Sequence, residues 1–401
     1  MTPLTATAWI LASLCVIALG YWVVVAVRVH RMMAIDPSVR KGLRAAMPEG
    51  GWPTLSVIVP AHNEEAMIDR CAESLRAQDY PDIEIIFVCD RCTDETVARA
   101  RRHAKEDARV IVVENDACPA EWAGKCHAAQ IGAAKATGRW LIFTDADTQF
   151  DPSLCRAAVG LAMQDGLSLL SLLTTLATRH RFERIVQPVA SMNLVRLYPL
   201  RRVNRLVRPR PFANGQFMLF DRAVYDQVGG HAAVRNDLLE DIAIAWVVSR
   251  AGGRVGVYFA DGMLTCAMYE SFAAFRTGWK RIYIEACHRK PARLRKLGWS
   301  AITAGVVGPL AQLAAVGAAI ALWPVDAPLA AILLSVVATG WIVQFATLMR
   351  IFGISGAPRL AAFGYPLGNY VVGRIMLEAA RDLSRGRPIL WGGREYVLEA
   401  R

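Results

Sequence analysis

Residues 8–26 carry no charge and are apolar over a length that crosses a bilayer. Their flanks decide between a cleaved leader and an anchor. No Lys or Arg precedes the run, whereas Arg28, Arg31, Arg40, Lys41 and Arg44 follow it. A secretory leader shows a charged start and a small-residue cleavage site instead. The pattern predicts a transmembrane anchor over residues 1–30, with its N-terminus outside the cytoplasm.

Residues 300–323 and 327–349 are two further uncharged runs, separated only by Pro324, Val325 and Asp326. Arg289, Lys290, Arg293, Arg295 and Lys296 precede this pair and Arg350 follows it. Basic residues favour the cytoplasmic side, so residues 50–290 are expected there, as one large domain, with two transmembrane helices over 300–349. Residues 360–373 are shorter, contain Gly364, Pro366 and Gly368, and have basic residues on both sides. They read as a re-entrant or interfacial segment, followed by a basic tail within 350–401; a full fourth span is the alternative. The chain is thus expected to be a multi-pass protein of the inner (cytoplasmic) membrane.

A net charge of +11 admits nucleic acid, anionic lipid or an anionic substrate as partner. The arginines between Arg179 and Arg210 alternate with Phe182, Ile185, Val186, Val189, Met192 and Leu197. That interleaving suits an amphipathic element on an anionic membrane and argues against nucleic acid. Nine irregularly spaced cysteines look like reduced thiols. Cys89 and Cys92 form a lone C-x-x-C, without the second pair that a structural zinc site wants.

Between residues 53 and 144 the chain alternates short apolar runs with helical patterns. Strands are expected over 55–60, 83–89, 109–113 and 140–144, and helices over 64–77, 93–104 and 125–136, with Asn63 as an N-cap. A βαβαβαβ order argues an α/β fold, with a mainly parallel sheet covered by helices on both faces. Ligands in such sheets bind beyond the carboxyl ends of the strands. His62, Asn63, Asp90, Asp145 and Asp147 all fall just past strand ends.

Asp145 and Asp147 flank a single residue. Side chains at i and i+2 in an extended segment point the same way. Two carboxylates so placed can hold a hard divalent cation through oxygen, with sites left for phosphate and water. Such a cation neutralises a diphosphate leaving group. A turn with capping acids would look the same in isolation.

Five stretches resemble, in order, the motifs of family 2 glycosyltransferases with the GT-A fold. They are Pro60-Ala61-His62-Asn63-Glu64-Glu65, Val88 to Asp94, Gly124-Lys125, Thr144-Asp145-Ala146-Asp147 and Leu239-Glu240-Asp241. The resemblance also reaches Met268-Tyr269, Gly278-Trp279-Lys280-Arg281 and, weakly, residues 391–396. It is strongest towards membrane-bound lipid glycosyltransferases of the hopene-associated and carotenoid kind, with ceramide glucosyltransferases more distant. It implies an inverting enzyme that uses a nucleotide-diphosphate sugar, with uracil the expected base, and Mg²⁺ or Mn²⁺. It assigns Pro60, Ala61, His62, Glu64 and Lys125 to the donor pocket, Asp90 to the uracil ring, Asp145 and Asp147 to the metal, with Asp147 the direct ligand, and Asp241 to the general base beside Glu240.

A base is needed because an acceptor hydroxyl is a poor nucleophile at neutral pH. Glu240 and Asp241 would equally suit a helix N-terminus. Trp279 could stack on a sugar ring and Lys280 could meet diphosphate oxygens; Trp279 could also be an interfacial anchor. The order at Trp279 departs from the Q-x-x-R-W of processive synthases. Asn214-Gly215-Gln216 reads as the acceptor border or as a turn before a strand. The expected function is sugar transfer to a lipid hydroxyl at the cytoplasmic membrane surface. A processive polysaccharide synthase and an inactive membrane-tethered binding protein are the alternatives.

Overall fold

The computed structural model describes residues 2–205, 207–237, 239–267, 269, 271–391 and 394–400. Met268, Gly392 and Gly393, singled out above, lie outside the described residues. The chain forms two compact units. One comprises Asp36–Ala177 and Tyr198–Met268 and is built on a sheet; the other comprises Met1–Ile35, Thr178–Leu197 and Tyr269–Arg401 and is mainly helical.

The sheet unit contains β1 (Leu55–Ala61), β2 (Ile83–Asp90), β3 (Val110–Asn115), β4 (Trp140–Thr144), β5 (Thr148–Phe150), β6 (Leu169–Leu173), β7 (Thr175–Leu176), β8 (Phe217–Asp221), β9 (Val255–Phe259) and β10 (Leu264–Cys266). Seven strands form one sheet in the order β3-β2-β1-β4-β8-β6-β9. All pair in parallel except β8, which runs antiparallel to both β4 and β6. The fold is therefore mixed and mainly parallel. A second sheet, β5-β10-β7, begins directly after the D-x-D run.

Alternation along the strands gives the sheet two apolar faces. Val57, Val59, Ile85, Phe87 and Ile142 face one core with Ile68, Cys71, Leu154 and Leu161. Ile58, Ile86, Val88, Leu141 and Phe143 face another with Ala128, Ala129, Ile244 and Val248. Helices thus cover both faces. The helix expected from residue 64 begins at Ile68 and ends at Arg76. Asn63 does not cap it. It stands in the left-handed region (φ 57°) and its Oδ1 accepts from the Thr93 N–H, tying the loop after β1 to the loop after β2. The next two helices run Thr96–Glu106 and Gly124–Lys135.

In the helical unit, three helices are long and apolar enough to cross a membrane: Pro3–Met33, Pro291–Leu322 and Ala327–Ile354. They meet along small and aliphatic side chains, Ala8, Ala12, Ala315, Ala319, Leu329 and Leu333, as close helix packing in lipid requires. Their outer faces expose Ile10, Ile17, Leu310, Ile320 and Ile342, an arrangement that suits lipid rather than water. Residues 359–364 form a 3₁₀ turn and Tyr365–Ser384 an α-helix. The arginine-rich segment divides. Arg181–Leu197 is a helix that buries Val186, Val189 and Ala190, and the short helix Leu200–Val203 follows in the sheet unit.

Candidate active site

The winding of the main sheet reverses between β1 and β4, since β2 and β3 continue to one side of β1 and β4 lies on the other. The crevice outside the carboxyl ends of strands at such a reversal is where this kind of sheet binds ligands. Pro60 and Ala61 end β1, and His62, Asn63 and Glu64 follow. Asp90 ends β2. Asp145 and Asp147 follow β4.

Asp90 is buried and well satisfied. Arg91 donates to it from Nε (3.1 Å) and Nη2 (2.6 Å), and Asn115 Nδ2 donates to its Oδ1 at 2.6 Å. His62 Nδ1 lies 2.7 Å from its backbone oxygen. Arg91 therefore stands on the carboxylate that the resemblance assigns to the nucleobase. A Cβ on Gly124 would lie 2.6 Å from Arg91 Nη2 and 3.3 Å from Asp90 Oδ2, so a side chain here would push the Arg91 guanidinium off this position.

The next residue, Lys125, reaches the second half of the site. Its Nζ lies 2.7 Å from Asp145 Oδ1 and 2.8 Å from Glu240 Oε1. Gly124 and Lys125, at the start of one helix, thus touch both acid groups. Burial works against the charge on Lys125, yet its two carboxylate partners hold it well above the ordinary range. Glu240 is buried too, and Lys125 keeps it ionised below the usual carboxylate range.

Asp241 forms no ion pair among the described residues. Its Oδ2 accepts the Gly215 N–H at 2.8 Å and its Oδ1 the Ile242 N–H at 2.7 Å. Burial, and then the neighbouring Glu240 charge, push it up to about 7. The two acids of the Glu240-Asp241 pair are driven apart, one held as an anion and the other poised near neutrality. That separation is what lets one acid exchange a proton at pH 7.

The D-x-D turn is closed by its threonines. Thr148 Oγ1 donates to the Asp145 carbonyl at 2.7 Å, and Thr144 Oγ1 to the Gln216 carbonyl at 2.7 Å. Asp145 is engaged by Lys125, whereas Asp147 Oδ1 is out of solvent with no hydrogen-bond partner among the described residues. Burial, then the Asp145 charge, raise Asp147 to about 6; burial, then Asp147 and Asp145, raise Glu64 to about 8. This is an anionic cluster short of positive charge. No group of three or more His, Cys, Asp or Glu among the described residues forms a ready cation cage. The residues present suit a cation held by one or two carboxylates and completed by substrate phosphate, as Mg²⁺ and Mn²⁺ usually are.

Sequence reading did not find what fixes this cluster. Asn214 Nδ2 donates to Gln216 Oε1 (3.1 Å), Gln216 Nε2 donates to Cys266 Sγ (3.0 Å), and the Cys266 thiol lies against the Asp147 carboxylate. The loop before β8 therefore reaches Asp147 through Gln216 and Cys266, and Asp241 through the Gly215 N–H. Cys266 meets the D-x-D turn because β10 pairs with β5, opposing Cys266 to Thr148. No sequence spacing announces that pairing. A Cβ on Gly215 would lie 2.9 Å from Lys125 Nζ, 3.2 Å from Glu240 Oε1 and 3.4 Å from Asp241 Oδ2. Gly215→Ala is expected to lower turnover about tenfold or more by displacing these groups, with the melting temperature little changed. Steady-state rates beside a thermal melt check it; unchanged turnover would remove Gly215 from the site.

Trp279 and Lys280 belong to the helical unit, on the helix Phe272–Ala286. Trp279 is buried against Phe275 and Tyr283, and Lys280 is ion-paired with Asp382. Cys89 and Cys92 are free thiols.

Residues 56–229 match the family model described as glycosyl transferase family 2. This part of the chain belongs to that family. The 4,4'-diaponeurosporenoate glycosyltransferase of Staphylococcus aureus (strain bovine RF122 / ET3-1) is 28% identical over 253 residues, 60% of this chain. The match spans 64% of that relative's own length. Two solved structures are similar at low identity. The mannosyltransferase PcManGT from Pyrobaculum calidifontis, in complex with GDP-Man and Mn²⁺, is 18% identical with a TM-score of 0.48, over 89% of this chain and 99% of that one. S. aureus TarS 1-349 in complex with UDP-GlcNAc is 12% identical with a TM-score of 0.41, over 86% and 96%. The family 2 match takes in β1 to β4, the D-x-D run and β8, and ends before Glu240 and Asp241.

Proposed function

We propose that this protein is an inverting glycosyltransferase that moves a sugar from a nucleotide-diphosphate sugar to a lipid hydroxyl at a membrane surface. One observation carries the reading. A carboxylate poised near neutral pH (Asp241) and a cation clamped between two acids (Lys125) meet at Gly215, and Lys125 joins them through Asp145 to the D-x-D turn, where Asp147 Oδ1 is out of solvent with no partner among the described residues.

In this reading the nucleobase enters over Gly124 towards Asp90, with Arg91 moving aside, and His62 and the end of β1 border it. Asp147, with Asp145 beside it, would hold the divalent metal, which when bound neutralises the diphosphate. Glu64, pushed up to about 8 by burial and by these acids, is mostly protonated at neutral pH at that end of the crevice and would ionise when a cation enters. Lys125 holds Asp145 and Glu240 in place and keeps a positive charge beside the leaving group's oxygens. Asp241 takes the proton of the acceptor hydroxyl as the oxygen attacks the anomeric carbon, opposite the departing diphosphate. One displacement inverts that centre. The buried walls formed by Phe217, Ala146 and Cys266 limit water, the competing acceptor.

A lipid acceptor is favoured by the three long apolar helices carried on the same chain, and by a relative named for diaponeurosporenoate, of the carotenoid kind set out above. The flanking basic residues favour the cytoplasmic side of the inner membrane for residues 50–290. The test is direct. Purified full-length protein in nanodiscs receives UDP- or GDP-sugars, Mg²⁺ or Mn²⁺, and a bacterial lipid extract. Acceptor-dependent nucleotide release and a glycolipid of inverted anomeric configuration are expected. Nucleotide release that never depends on added lipid, or a polymeric product, would overturn the reading.

A further inference from the structure

In the helical unit, Pro291–Ile302 and Tyr365–Ser384 cross at two glycines. A Cβ on Gly298 would lie 2.9 Å from the Gly373 carbonyl oxygen, and one on Gly373 would lie 2.8 Å from that of Gly298. So close a crossing sets neighbouring positions side by side. Arg295 and Trp299 lie on one helix; Leu377, Arg381 and Arg385 follow Gly373 at intervals of four on the other or just past its end. With Ser384 they line an open cavity of about 350 Å³.

The charge in this cavity is not balanced. Arg295, Arg381 and Arg385 form no ion pair among the described residues. The acids of the second helix are engaged elsewhere, Glu378 with Arg276, and Asp382 with Lys280 and Arg387. Arg381 and Arg385 sit at a helix C-terminus, where cations are favoured, but Arg295 lies near a helix N-terminus, where they are not. Ser384 donates its hydroxyl to the Ala380 carbonyl, so the free donors are the guanidiniums. Guanidinium forks match phosphate geometry bidentately. Trp299 is 59% exposed and immediately precedes the uncharged run 300–323 within the candidate span Pro291–Leu322. An indole at that height is an interfacial residue. The cavity is therefore cationic at the level of phosphate headgroups, with Trp299 and Leu377 as an apolar wall.

We propose that this cavity binds a phosphate ester, the headgroup phosphate of an anionic phospholipid. The cavity shares no residue with the donor crevice, and the proposal rests on membrane residence, not on the transfer reaction. Full-length protein in neutral detergent is titrated with phosphatidylglycerol, phosphatidylcholine or inorganic phosphate, and retained adducts are counted by native mass spectrometry. Phosphatidylglycerol is expected to be retained about tenfold over phosphatidylcholine. R295Q/R381Q/R385Q is expected to remove that preference, and R381Q alone to weaken it severalfold should the triple variant fold poorly. R28Q/R31Q/R350Q, an equal charge change at other exposed positions, is expected to keep it. Undiminished retention in R381Q and the triple variant overturns the proposal, as does equal loss in the charge-matched control. Displacement of the lipid by millimolar inorganic phosphate would assign the cavity to free phosphate and overturn the lipid source.

Discussion

Asp241→Asn is expected to lower turnover about a thousandfold while leaving donor affinity within about threefold, a loss in the range for a missing general base. The amide keeps the size of the side chain and can still accept the Gly215 N–H, but it cannot take a proton. In the wild type, Asp241 is held near 7 by burial and by Glu240. Its active form is the carboxylate. The acceptor-dependent rate should therefore rise with pH through about 7 and level off above, following one deprotonation. In Asp241→Asn the residual rate should lose that rise. The measurement is nucleotide release against pH, with and without acceptor lipid. A variant that retained both the rate and the pH profile would transfer the base role elsewhere. Glu240 is a poor candidate for that role, since Lys125 clamps it as an anion 2.8 Å away. Glu240→Gln should instead act through Lys125, which would be left with Asp145 alone, and so change donor affinity along with turnover.

The parts of this site that sequence reveals are those made by local chain geometry. Strand ends are readable from apolar runs, and a residue just past a strand end is already at the edge of the sheet. That is why the positions of Asp90, Asp145 and Asp147 at the sheet edge, and the mainly parallel α/β fold, are legible in residues 53–147. The pairing of β8 antiparallel between β4 and β6 was not readable, because it joins segments far apart in the chain. With it went everything β8 and β10 bring: the Gly215 N–H on Asp241, and Cys266 beside Asp147. Asn63 shows the limit from the other side. Its type suits an N-cap, and the left-handed conformation sent its side chain to Thr93 instead. Lys125 is the most informative case. A lysine after a loop glycine is usually solvated; here two carboxylates, one just past β4 and one buried at the start of the helix Glu240–Arg250, enclose it.

Asp147→Asn is expected to do two opposite things: to reduce metal-dependent turnover about a thousandfold, several kcal/mol of lost charge stabilisation, and to raise the melting temperature of the ligand-free protein. The second effect follows from the cluster's own charge. Asp147 is pushed up to about 6 by burial and by Asp145, above its unfolded value. The folded state thus binds more protons than the unfolded state across roughly pH 4 to 6, so stability falls as pH rises through that window and stays reduced above it. A neutral amide removes the penalty, on the order of 3 kcal/mol at pH 8, and a rise of several degrees is expected. The wild type should recover that stability when Mn²⁺ and nucleotide are added, and the variant should gain much less. Thermal melts at pH 5 and pH 8, with and without Mn²⁺, separate the cases. At pH 5 the gap between the two proteins should shrink to roughly half of its value at pH 8, because the folded wild-type carboxyl is then largely protonated while the unfolded one is still ionised. Loss of stability in the variant at both pH values would mean that Asp147 holds the D-x-D turn together. A gain in stability paired with lost turnover would mean that the chain tolerates a charge it cannot satisfy itself, because a cation completes it.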